Sequence, residues 1–325
     1  MPSTPTITDV EAAAKRIAPF VWRTPFLKST WLSDAASADV RLKLEIVQET
    51  GAFKARGAMN ALTLLKEEQP LVTTVVTASA GNHGLAVAWA ARETGLHARV
   101  HVPASVPHVK RHGIERLGAE VLDAPSYEAA ETQAHEDAFA TGAVYISPYN
   151  HPDVIAGAGT IALEMIEDWP DLDVIVVPLG GGGLLSGTSI VARALEATGR
   201  PPILVIGAEA EASPVFTTAL AHNQVVSVEV HETIADGLAG NMEPGSRTFE
   251  LVRDLADRVA LVAEASIELA MRGLFGRDRL VVEGAAATAV GALLQGRQGF
   301  AGRRVGVILS GRNVDVSVLD RLLTK

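Results

Sequence analysis

Apolar positions along this chain follow two alternating rhythms. Short runs dense in β-branched residues, Val72 to Thr77, Ala98 to Val102 and Val174 to Pro178, read as strands. Each precedes a longer, alanine-rich segment of helical period: Leu85 to Glu93, Val109 to Leu117 and Leu184 to Ala197. Repeated strand-then-helix order predicts an α/β fold in which parallel sheets are covered by helices. Gly95, Gly118, Gly142 and Gly199 each close a helical pattern just before a new apolar run, where a helix C-terminus favours glycine. No fixed-period repeat, low-complexity tract or long Pro/Gly/Ser linker intervenes, so short crossovers are expected between lobes.

At 325 residues, 48% apolar and 20% charged, the chain exceeds the usual size of one compact domain, and two lobes are expected. The smaller is placed at residues 49–150 and the larger at 1–48 plus 151–325. The last strand-like run, Arg304 to Leu309, is followed only by a short segment to Lys325, so no C-terminal regulatory domain is expected. A formal charge of −10 with scattered Lys and Arg disfavours nucleic acid and anionic membrane and favours a small-molecule partner. The absence of cysteine excludes disulfides, thiolate metal sites and cysteine nucleophiles. No apolar run is long enough to span a bilayer, and Met1-Pro2-Ser3-Thr4-Pro5 lacks the basic-then-apolar start of a secretory signal. The cytoplasm is the expected location.

Candidate chemistry begins at Asp173 to Gly187, where a strand runs into Gly180, Gly181, Gly182 and Gly183 and then a helix from Leu184. Glycines let the backbone approach an anion and turn its N–H groups inward, and the helix directs its positive end to the same point. A phosphate fits there without a lysine. A packing turn explains one or two glycines, seldom four. Gly182 to Thr188 has Walker-like spacing, but Gly187 stands where the lysine belongs; strict G-x-G-x-x-G and G-x-S-x-G are also absent.

Three further segments acquire meaning together. Lys54 opens an alanine-rich helical stretch after Gly51-Ala52-Phe53. A helix N-terminus destabilises an ammonium and so favours the nucleophilic amine, with Phe53 as a dry wall. The loop Ser79-Ala80-Gly81-Asn82-His83-Gly84 sits at a strand-to-helix junction whose amides and polar side chains suit an oxygen anion. Finally, the strand ending at Leu309 delivers Ser310 into the turn Gly311-Arg312-Asn313. Alone, each is an ordinary surface lysine, N-cap or turn.

In order and spacing these segments resemble the serine/threonine dehydratase and serine racemase family, in the tryptophan-synthase-β-like group of pyridoxal-phosphate enzymes, over nearly the whole chain. The resemblance implies a two-lobed fold (type II among pyridoxal-phosphate enzymes) and pyridoxal 5'-phosphate carried covalently on Lys54. It implies Phe53 beside the ring, Asn82 at its phenolic oxygen, Gly180 to Gly183 and Leu184 around its phosphate, and Ser310 at its pyridine nitrogen. A neutral hydroxyl there leaves the ring a weaker electron sink, which suits elimination. Ser79, Asn82 and His83 would clamp the substrate carboxylate. Pro148 to Thr160 resembles the family's domain-crossing stretch, Thr233 to Leu238 a cofactor-facing loop, and Glu283 an acidic residue near the ring nitrogen.

What the resemblance implies in activity is elimination of water and ammonia from a small hydroxy-amino acid, L-threonine or L-serine, giving a 2-oxo acid, by a homodimer. Racemisation ranks lower, because Ala80 stands where racemases of the family place a proton-carrying serine. Dehydration of β-hydroxyaspartate has only Arg312 as a hint, in a place often glycine. A catalytically silent cofactor binder would be expected to have lost some of these residues. Glu209 matches one acidic ligand of a family cation site, but the stretch to Val215 lacks the later aspartate, so no metal is assigned. His97, His101, His108 and His112 lack the Glu of a zinc motif and are read as solvated or helix-end histidines. The acidic run Glu128 to Asp137 is read as an exposed helix face.

Overall fold

The computed structural model describes residues 4–324; Met1, Pro2 and Ser3 of the stretch read for a secretory signal, and Lys325, lie outside the described residues. Among the described residues ten strands form two sheets. β1 (Phe26–Lys28), β2 (Asp39–Leu44), β7 (Val174–Pro178), β8 (Leu204–Ala210), β9 (Arg258–Val262) and β10 (Arg304–Leu309) build six strands in the order β1-β2-β10-β7-β8-β9. β3 (Thr74–Ala78), β4 (His97–Pro103), β5 (Glu120–Ala124) and β6 (Val144–Tyr145) build four in the order β5-β4-β3-β6. All pairings are parallel except β1 with β2. Every residue of β7 is buried, as a central parallel strand covered on both faces requires.

The helices are α1 (Ile7–Ile17), α2 (Thr30–Ala36), α3 (Lys54–Glu68), α4 (Asn82–Thr94), α5 (His108–Glu115), α6 (Tyr127–Thr141), α7 (Pro152–Asp168), α8 (Gly183–Glu196), α9 (Val215–His222), α10 (Arg247–Leu255), α11 (Glu264–Gly273), α12 (Gly284–Gln295) and α13 (Val316–Leu323). None is long and apolar enough to cross a membrane. The four glycine stops read from the sequence all have left-handed φ, +71° at Gly95, +88° at Gly118, +72° at Gly142 and +90° at Gly199. The α3–α7 crossing is close: a Cβ at Gly57 would lie 2.7 Å from the Val154 carbonyl oxygen, and one at Gly157 2.6 Å from that of Arg56.

Beneath this crossing lies a buried charge cluster. The Arg56 guanidinium donates to both oxygens of Glu45 (2.8 and 2.9 Å), to both of Glu164 (2.7 and 3.0 Å) and to Thr160. Lys43, with no exposed surface, donates to Glu164 at 2.5 Å and to the Thr24 carbonyl at 2.7 Å. Two cations thus face two carboxylates, and nearly every donor is used, the condition for burying charge at tolerable cost.

Two readings need correction. His101 is not solvated: it lies on β4, 6% exposed, with Nε2 3.0 Å from Asp137, because parallel pairing turns it toward α6. The acidic run is not one exposed face either, since Asp137 also pairs with Arg99 and Glu131 is only half-buried on α6. Alanines at 130, 134 and 138 press that helix to the sheet and draw its flanking acids inward.

Candidate active site

Ser79, Gly180 and Ser310 directly follow the carboxyl ends of β3, β7 (through Leu179) and β10, where open parallel sheets bind ligands. Lys54 is the first residue of α3. Its Nζ donates to the Pro148 carbonyl at 2.6 Å and lies 5.1 Å from the Phe53 ring centroid. Burial pushes this amine down to about 8, and the negative field of Glu283 opposes the shift only partly. Near neutrality an appreciable share of the group is therefore the nucleophilic amine.

The backbone leading to Lys54 is strained. Thr50 and Gly51 have φ of +61° and +74°, a left-handed pair that costs a β-branched residue on the order of 1 kcal/mol or more. The turn after β10 holds it: Asn313 Nδ2 donates to the Thr50 carbonyl (2.8 Å), the Arg312 amide to Gly51 (3.0 Å), and the Phe53 amide to Ser310 (2.9 Å). Ser310 is thus delivered beside the Lys54 turn.

Asn82 heads α4 and reaches across to the other sheet. Its Nδ2 donates to Glu283 at 2.8 and 3.1 Å, and its Oδ1 accepts from Asn313 at 2.7 Å. Glu283, 6% exposed, has its carboxyl pushed up to about 7 by burial, with the Asn82 and Asn313 hydrogen bonds acting against the shift. Its packing against Gly311, where a Cβ would lie 2.5 Å from Oε1, explains that glycine. The sequence singled out Glu283 by resemblance; its part as the knot joining Asn82 to Asn313 needed the fold.

The glycine turn is a cradle that any side chain would fill. A Cβ at Gly181 would stand 2.2 Å from the Tyr149 ring, one at Gly183 3.0 Å from the Tyr149 carbonyl, and one at Gly180 3.0 Å from Leu238. Gly182, at φ +85°, caps α8, whose amides open toward the turn; Leu184 points into the core. Ser186 Oγ, one turn into α8, is buried without a hydrogen-bond partner.

Ser79 receives the Gly81 amide at 3.3 Å. The His83 ring is turned inward: it is 2% exposed, Nε2 lies 3.0 Å from the Ile146 carbonyl, and burial holds it down at about 3. It is neutral, with its N–H committed to the backbone. The Glu209 carboxylate accepts from the Phe216 amide (2.5 Å) and the Thr217 amide and hydroxyl (2.9 and 2.7 Å), capping α9. Arg312 is exposed on a surface groove of about 370 Å³ shared with Trp22, Gln48 and Glu49.

These residues fit pyridoxal phosphate: a part-buried amine of lowered proton affinity for its aldehyde, an amide-rich turn at a helix N-terminus with an orphan hydroxyl for its phosphate, and Asn82 and Ser310, both tied to the turn leading into Lys54, for its ring. Comparison with known proteins agrees. Residues 17–311 match the family model described as pyridoxal-phosphate dependent enzyme. An L-threonine ammonia-lyase of Thermotoga maritima is 39% identical over 98% of this chain and 78% of its own length. An L-threo-3-hydroxyaspartate ammonia-lyase of Saccharomyces cerevisiae is 37% identical over 98% and 97%. The crystal structure of serine racemase from Dictyostelium discoideum superposes with a TM-score of 0.88 at 37% identity, covering 97% of this chain and all of that one. With a family model spanning most of its length and relatives of this similarity, the chain belongs to the pyridoxal-phosphate-dependent enzymes of the serine/threonine dehydratase and serine racemase group.

Proposed function

We propose that the protein is an ammonia-lyase that dehydrates and deaminates a small hydroxy-amino acid, L-threonine or L-serine, to a 2-oxo acid and ammonia. The observation that carries this reading is Lys54, a part-buried amine of lowered proton affinity that donates to the Pro148 carbonyl, next to the Tyr149 ring that packs on the glycine turn, and feels the charge of Glu283.

Pyridoxal phosphate, when bound, withdraws electrons from the substrate Cα and so acidifies the α-proton. Lys54 would hold the cofactor through its Nζ, and the same amine, set at the Pro148 carbonyl, would serve as the base that takes the α-proton. Phe53 walls the amine off from water. Asn82 would support the phenolic side of the ring and Ser310 its nitrogen, while Gly180, Gly181, Gly182, Gly183 and the start of α8 at Leu184 would hold the phosphate. Ser79 and the amides heading α4 at Asn82 and His83 receive the substrate carboxylate. For His83 this means its backbone, since the ring N–H is engaged with Ile146. Ala80 offers no second proton carrier, which supports elimination over racemisation.

Residues 49–150 are assigned to the smaller lobe, and 1–48 with 151–325 to the larger, since the four-stranded sheet draws only on residues 74–145. A cytoplasmic homodimer is proposed. Supporting a second copy, Trp22 and Val47 line one groove while 62% and 41% exposed. Purified protein should show a visible cofactor band that shifts with L-threonine or L-serine while 2-oxo acid is released. A protein that stays colourless with added pyridoxal phosphate would refute the reading.

A further inference from the structure

The glycine turn is gripped from behind by α10. Thr248, the second residue of that helix and without exposed surface, donates its hydroxyl to the Gly181 carbonyl at 2.7 Å. A threonine hydroxyl has one proton, and Gly181 receives it. The 2.8 Å contact between Ser246 Oγ and Thr248 Oγ1 therefore runs the other way, with Ser246 donating. Ser246 is itself buried. The result is a buried relay, Ser246 to Thr248 to Gly181, that ends on the middle of the four-glycine turn.

In a trans peptide the carbonyl and the following N–H point to opposite sides. Holding the Gly181 oxygen toward α10 therefore turns the Gly182 N–H away from α10. The amides of Gly180, Gly181, Gly182, Gly183 and Leu184 find no acceptor among the described residues. The turn cannot back away from this grip: a Cβ at Gly182 would lie 2.6 Å from the Phe216 ring and 2.9 Å from Thr248 Cβ, while the Tyr149 ring closes on Gly181. α10 is tied in turn to the segment that seats the lysine. The Arg247 amide donates to Asn150 Oδ1 at 2.8 Å, and Asn150 stands two residues after Pro148, whose carbonyl receives Lys54 Nζ. One stretch thus registers both the amine and, through α10, the glycine turn.

We propose that Thr248, with Ser246 behind it, is a positioning residue for the cofactor's phosphate: its hydroxyl fixes the Gly181–Gly182 peptide so that the Gly182 N–H is already presented to the phosphate. The inference rests on the glycine turn being the phosphate site and names the side chain that pre-sets it. A glycine peptide is the most mobile kind, and an anion that must first order it loses affinity to that ordering. An amide pinned through its carbonyl has been ordered by folding.

The test separates the phosphate from the ring. Cofactor is removed from holoenzymes of the native protein, Thr248→Val, Thr248→Ser and Ser246→Ala. Each is then titrated with pyridoxal 5'-phosphate and with 5'-deoxypyridoxal, which keeps the aldehyde and ring and lacks the phosphate, both followed by the lysine-bound visible band. The phosphorus resonance of each holoenzyme is recorded as well. Thr248→Val should weaken pyridoxal phosphate by about tenfold, leave 5'-deoxypyridoxal unchanged and shift the phosphorus resonance; Thr248→Ser should restore the native values. Ser246→Ala keeps the bond to Gly181 and removes only the donor behind it, so it should weaken pyridoxal phosphate by less, and it carries the comparison if the valine variant does not fold. A general loosening of the fold would weaken the two ligands alike; that result, or an unchanged ratio of their affinities in the folded variants, would overturn the assignment. Gly181→Ala tells the two claims apart. A ratio untouched by Gly181→Ala would remove the turn as the phosphate site and the inference with it, whereas a ratio that falls with Gly181→Ala and not with Thr248→Val would refute the part given to Thr248 alone. None of these readouts depends on which reaction the loaded enzyme performs.

Discussion

Lys43, fully buried, and Lys54, partly so, stand eleven residues apart, and the protein treats them in opposite ways. Lys43 has Glu164 at 2.5 Å inside a cluster of balanced charge; burial weakens its hold on the proton and the carboxylate restores part of it. Lys54 donates to a carbonyl oxygen instead, lies over the Phe53 ring and feels the Glu283 carboxylate through space. Burial with a contacting counter-charge makes a structural strut, whereas burial without one makes a nucleophile. The two are coupled, because Arg56 ties the strut to the helix that starts with Lys54.

The contrast breaks most sharply at Lys54. Lys54→Ala should abolish the lysine-bound visible band and lower 2-oxo acid release by about three orders of magnitude or more; undiminished turnover would remove the nucleophile from the comparison. Arg56→Met should act on the other pole, leaving Glu45 and Glu164 buried without their main partner and costing about 3–5 kcal/mol in denaturant unfolding. Gly181→Ala forces a methyl against the Tyr149 ring; it should destabilise the fold by about 1–3 kcal/mol and weaken cofactor retention on dialysis.

A gentler probe is pH. In cofactor-free protein Lys54 loses its proton near 8, against an ordinary 10.5 for the unfolded chain. The rate of cofactor capture should climb with pH up to about 8 and then level off. Between about 8 and 10.5 the unfolded chain binds the extra proton, so this group makes native stability rise with pH across that window; below 8 both states hold the proton and its contribution is constant. The smallest effect is expected from Glu283→Gln, which removes the field that keeps Lys54 protonated and should move the capture profile to lower pH. A shift to higher pH would show that Glu283 acts otherwise.

How much of this could be read from residues alone follows from the range of the forces involved. Strands, helix stops and the four-glycine turn are local: alternation, glycine φ and helix N-termini act within a few positions, so β7 and β10 were read to the residue. The Lys43–Arg56–Glu45–Glu164 cluster was not legible, since Glu45 and Glu164 become neighbours only when α3 crosses α7. The local pattern puts Glu131 on a solvated face because its helix is alanine-rich on one side, and nothing local shows how closely that helix packs on the small sheet. The inward turn of the His83 ring is likewise not local, its partner lying 63 positions downstream.

The placement of β10 between β2 and β7 sets an order of assembly in the cell. Strands near residues 40 and 175 leave the ribosome long before the one that must lie between them, so the large sheet has a missing middle until residues 304–309 have emerged. That last strand also brings Ser310 and Asn313 to the Lys54 turn. Cofactor capture is therefore an event that follows synthesis of residues 304–313, and a ribosome stalled short of that strand would present a chain with its lysine made and no site around it.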